Sequence, residues 1–162
     1  MHRATRGLTL LEMMVALAIV AVLATLALPS FGSMMSRHRL KAAAEQMAMD
    51  LAELRLLATQ RGQPMHVNLS AGPQWCYALA EASGCDCRVP QGCQLKTVSA
   101  KDHPGVTLLP GQDLRIDPQA VARGNGALLQ GSDGARLHVG LSPLGRPRVC
   151  APDAAVPGFT AC

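Results

Sequence analysis

The chain has 162 residues, with 15 lysines and arginines against 11 aspartates and glutamates, a net charge of +4, and 49% hydrophobic but only 2% aromatic residues. That length leaves room for one apolar anchoring segment and one small domain of roughly 100 residues, and excludes two such domains. With Trp75, Tyr77, Phe31 and Phe159 as the only large rings, the core must be built from Leu, Val, Ala and Met, and a surface that stacks nucleobases is excluded.

The chain opens on MHRATRG, a short basic leader with Arg3 and Arg6 and no acid. From Leu8 to Leu28 it is apolar apart from two threonines and Glu12, long enough for the roughly 20 residues that cross a bilayer as a helix. An acid inside such a segment costs roughly 2.5 to 3.5 kcal/mol, so Glu12 calls for a counter-charge. An ordinary secretory signal is cut after its apolar region. Here a second cut is available at Gly7, before it.

Gly7-Leu8-Thr9-Leu10-Leu11-Glu12 followed by an apolar helix resembles the type IV prepilin motif. The resemblance implies that a prepilin peptidase cuts between Gly7 and Leu8 and methylates the new Leu8 amine. It also implies that Glu12 pairs with that amine on a neighbouring subunit, so that the segment serves assembly with other pilins. Leu8 stands where most of the family carries phenylalanine, a site that asks only for an apolar residue.

Pro29 is expected to end or kink the membrane helix. Beyond it, Leu40, Ala44, Met47, Leu51, Leu54 and Ala58 recur at steps of four and three, an apolar stripe with Arg39, Lys41, Glu45, Asp50, Glu53 and Arg55 mostly off it. Gly62 and Pro64 should stop this amphipathic helix. The period then changes to alternation, with Met65, Val67 and Leu69 on one side and His66 and Asn68 on the other. Further short strands are read at 75–79, 106–109, 114–116, 127–129 and 136–139. The expected fold class is α+β: a long N-terminal helix, half in the membrane and half amphipathic, packed on one antiparallel sheet. The divisions are a leader at 1–7, a transmembrane and assembly helix at 8–28, its amphipathic continuation at 29–61, and a β-rich domain at 62–162.

All six cysteines follow the apolar segment and point to an oxidising compartment such as a periplasm. That sets the topology as a single pass through the inner membrane with the C-terminal domain in the periplasm. Cys150 and Cys162 bracket a tail rich in Ala, Pro and Gly and are expected to pair. Cys76, Cys85, Cys87 and Cys93 should staple the Trp75 strand to the loop around Gly84 and Gly92, in pairings the spacing leaves open. C-x-C replaces the C-x-x-C pairs usual for zinc, so no metal is expected. His2, His38, His66, His103 and His138 are scattered and beside no nucleophile-like serine, and Gly124-Asn125-Gly126 is a turn signal. No cofactor and no enzymatic activity are expected.

The remaining motif is Gly145-Arg146-Pro147-Arg148. In an extended segment Arg146 and Arg148 project to one side, and Pro147 stiffens the backbone between them. Planar guanidinium groups suit phosphate oxygens. Residues 121–150 hold Arg123, Arg136, Arg146 and Arg148 against Asp133, whereas residues 71–120 are slightly acidic. The prepilin start, long helix, late strands and G-R-x-R stretch together resemble the FimT/GspH family of minor pilins and pseudopilins. The FimT branch implies binding of double-stranded DNA for uptake in natural transformation, with Arg146 and Arg148 as contacts and Arg136 and Arg123 as weaker candidates, on a pilus fibre or its tip. The GspH branch implies a structural pseudopilin of a type II secretion system.

Overall fold

The computed structural model describes residues 9–89, 92–119, 121–153 and 156–162, with the backbone alone at 26–30. Helix α1 spans Leu10–Arg61. It runs on through Pro29, so that proline does not end the helix. Its stop is as expected: Gly62 takes the left-handed conformation (φ 64°) after the last helical residue, and Pro64 follows. By contact the chain divides into two compact units, Met1–Met35 and Ser36–Cys162.

In the first unit the helix is apolar on every side and its described side chains are exposed, Leu10, Leu11, Leu17 and Leu23 among them. A helix of that kind has no reason to be stable alone in water and needs lipid or other helices around it. Thr9 caps it. The Glu12 amide donates to Thr9 Oγ1 at 3.2 Å and the Met13 amide to the Thr9 carbonyl at 3.2 Å.

The second unit joins the rest of α1 to nine strands: β1 (Met65–Ser70), β2 (Cys76–Ala80), β3 (Gln94–Ser99), β4 (Val106–Leu109), β5 (Leu114–Ile116), β6 (Ala122–Arg123), β7 (Ala127–Gly131), β8 (Arg136–Leu141) and β9 (Pro147–Cys150). They form two sheets where one was expected, a five-stranded one ordered β3-β2-β1-β5-β6 and a four-stranded one ordered β4-β7-β8-β9. Every strand pair is antiparallel. The fold is α+β, a long N-terminal helix packed against antiparallel sheets.

One core serves both sheets. The stripe residues Leu40, Ala44, Met47, Leu51, Leu54 and Ala58 are buried against Met65, Val67, Trp75, Leu114 and Ile116 and against Leu108, Leu129, Leu137 and Val139. Each buried leucine contributes about 1.5–3 kcal/mol. Trp75 lies just ahead of β2 rather than within it. It is buried, donates from Nε1 to the Val106 carbonyl at 2.7 Å, and stacks on His103 with ring centroids 6.3 Å apart. Burial pushes the His103 pKa down.

One charged residue sits elsewhere than expected. Asp50, placed among the charged positions off the stripe, is 3% exposed; it accepts from Tyr77 Oη at 2.7 Å and from Lys96 Nζ at 2.6 Å. Asn68, on the side of β1 opposite Met65 and Val67, is also buried. Its amide donates to the Ala82 carbonyl and its Oδ1 accepts the Gly84 N–H, which holds the loop after β2.

Three disulfides close the domain: Cys76–Cys87, Cys85–Cys93 and Cys150–Cys162. The first two interleave and tie β2 to the loop leading into β3.

Candidate functional site

The G-R-P-R stretch leads from the turn into the second arm of the β8–β9 hairpin. Its turn is Ser142-Pro143-Leu144-Gly145, closed by the Gly145 N–H donating to the Ser142 carbonyl at 2.8 Å and the Ser142 N–H to the Arg146 carbonyl at 2.9 Å. The Arg146 amide adds a bond to Ser142 Oγ at 3.1 Å. Pro143 suits the second turn position, and Gly145 has φ 68°, a conformation that side chains disfavour. The glycine of the motif is therefore set by the turn.

Register decides which way the arginines point. Leu137 and Val139 of β8 face the core, so Arg136, His138 and Gly140 face outward. Arg148 pairs with Gly140 and Cys150 with His138, which puts Arg148 on that outer face. Arg146 stands just ahead of β9, its carbonyl bonded by the Ser142 N–H, and the alternation of the strand carried one step further gives it the side of Arg148. Both arginines are exposed, and among the described residues neither guanidinium has an ion pair. Beside them lies a groove of about 390 Å³ lined by His138, Gly140, Ser142, Arg148 and the Cys150–Cys162 bridge. A side chain at Gly140 would put its Cβ 2.8 Å from the His138 ring, which would have to shift to make room.

The weaker candidates behave differently. Arg136 shares the outer face but is held by Asp153 through two bonds, Nε to Oδ2 and Nη2 to Oδ1, each 2.7 Å. The pair holds the Asp153 carboxyl below the usual carboxylate range and pushes Arg136 up. Arg123 is not brought to the site. It lies on β6 of the other sheet, opposite Arg115, and both reach Asp117.

At the other end of the chain, Gly7 and Leu8 lie outside the described residues. Glu12 is exposed in the first turn of α1. Thr9 was missed in the sequence, although Thr9-Leu10-Leu11-Glu12 has the spacing of a capping box. Among the described residues no helix is long and apolar enough to cross a membrane. The side chains of the apolar run are described from Thr9 to Thr25, less than the whole of 8–28. His138, Cys150 and Cys162 place their potential ligand atoms within 4.8 Å of one another. Both sulfurs are in the disulfide, so neither is a thiolate able to bind a metal.

Residues 2–28 match the prokaryotic N-terminal methylation motif. Neither a curated protein nor a solved structure matches the chain. The matched segment contains Gly7, Leu8 and Glu12, and the motif implies processing by prepilin peptidase and assembly with other pilins. The chain thus begins with the prepilin-type signal of type IV pilin-like proteins.

Proposed function

We propose that the chain is a minor pilin that joins a type IV pilus through residues 8–28 and holds extracellular double-stranded DNA through Arg146 and Arg148, without sequence preference, in natural transformation. The observation that carries the DNA reading is the pair of exposed guanidinium groups, without an ion pair among the described residues, on one face of a hairpin arm fixed by its turn. Phosphate oxygens suit such groups, and nothing about them reads a base edge. The assembly reading is supported by the methylation motif and by the exposed apolar side chains of the described helix residues from Leu10 to Leu23. Glu12 meets the Leu8 amine of a neighbouring subunit, each charge making the other tolerable in lipid. The protein passes once through the inner membrane before it enters the fibre, and acts by binding rather than catalysis.

Two experiments test this. In the first, the mature protein is expected to begin at methylated Leu8 by mass spectrometry; a start beyond the apolar run would remove the pilin reading. In the second, the full chain in neutral detergent is titrated with labelled duplex. Two phosphate contacts give a slope of log affinity against log salt of about −1.8. Arg146→Ala/Arg148→Ala should lower affinity by about tenfold or more at low salt, about 1.4 kcal/mol. Affinity equal to the parent's would discard the clamp and leave a structural pseudopilin of a type II secretion system as the reading to pursue.

A further inference from the structure

The outer face of the four-stranded sheet carries a third arginine that the clamp does not use. Arg136 and Gly140 lie four residues apart on the same face of β8, and Arg148 stands opposite Gly140. At about 3.4 Å per residue, Arg136 is roughly 14 Å from the level of Arg148, and Arg146 lies about 7 Å further on. The row covers about 20 Å, the rise of roughly six nucleotides of one strand at 3.4 Å each. His138, between Arg136 and Arg148, has its Nε2 engaged by the Asn125 carbonyl and leaves the row to the arginines.

Asp153 interrupts this row. Its carboxylate meets Arg136 edge-on through both oxygens, the strongest arrangement the two groups can make. It is presented by the tail, which is fixed by Cys150–Cys162 and by the Ala151 amide donating to the Thr160 carbonyl at 2.9 Å. A phosphate arriving at Arg136 would meet an anion already seated there.

Resting on the DNA-binding reading, we propose that Arg136, Arg148 and Arg146 form one track for a single DNA strand, and that Asp153 is a built-in brake that keeps Arg136 out of it. Asparagine at 153 keeps the shape and removes the charge, so Asp153→Asn releases the third contact.

The test is a salt titration of the full chain in neutral detergent with labelled duplex, comparing the parent, Asp153→Asn, Asp153→Asn/Arg136→Ala and Arg146→Ala/Arg148→Ala. Asp153→Asn should steepen the slope from about −1.8 to about −2.7 and raise affinity about tenfold at low salt. Adding Arg136→Ala should return both to the parent's values. A slope unchanged by Asp153→Asn, or a gain that survives Arg136→Ala, would overturn the brake. If either happens while Arg146→Ala/Arg148→Ala still weakens binding, the brake alone is lost and the clamp stands. If that double variant binds like the parent, the clamp itself is lost. A melting curve for Asp153→Asn close to the parent's keeps a folding defect from imitating either result.

Discussion

Asp50→Ala should lower the unfolding free energy by about 3 kcal/mol, the lower end of what breaking a buried ion pair costs. Two partners are stranded. Tyr77 Oη keeps no acceptor in a buried site, while Lys96, whose side chain is 41% exposed, recovers part of its loss by turning to water. Asp50→Asn, which can still accept from Tyr77, should cost less. The measurement is the urea midpoint at constant slope, and an Asp50→Ala value within about 1 kcal/mol of the parent would mean that the network does not hold helix to sheet. The same site has a pH signature. Burial first, and the bond to Asp50 second, push the Tyr77 pKa well up. The folded chain then keeps the phenol proton at a pH where the unfolded chain loses it, so this contribution is complete below about 10 and falls away as pH rises past it. Asp50→Ala should end that alkaline decline at a lower pH without abolishing it, because burial remains.

Cys150→Ser/Cys162→Ser should cost about 3 kcal/mol by releasing the loop between residues 12 apart in sequence. The effect reaches the arginines. β9 is the edge of its sheet, and the tail beyond it returns to pair Ala151 with Ala161 beside the disulfide. Without the bridge, duplex affinity should fall, though by less than in Arg146→Ala/Arg148→Ala, since the turn at Ser142–Gly145 keeps its own bonds. Unchanged stability in the serine variant would show that the tail is held by other contacts.

Much of the helix was legible in the sequence because its information is local. Leu40 to Ala58 repeat at the helical period, and Gly62 and Pro64 mark the end by backbone chemistry alone. The strands at 106–109 and 114–116 were legible for the same reason, short apolar runs between turn residues. What escaped depends on distant partners. β3, Gln94–Ser99, is an edge strand with only Val98 buried, so it shows no alternation. β6 is two residues long and exists because Arg115 and Ile116 pair with it. That β1 pairs with β5 while β4 pairs with β7 splits the strands into two sheets, a choice no local pattern records. Asp50 reads as a surface acid until Tyr77 and Lys96 arrive from 27 and 46 residues away. The arginines divide along the same line. The side shared by Arg146 and Arg148 follows from alternation, whereas the capture of Arg136 by Asp153 depends on the tail folding back.

The interleaving of Cys76–Cys87 with Cys85–Cys93 has one more consequence. Wherever a protease nicks the backbone once between residues 76 and 93, one of the two bridges spans the break, and the same holds from 150 to 162. The loop before β3 and the tail are thus stretches from which a single cut detaches nothing.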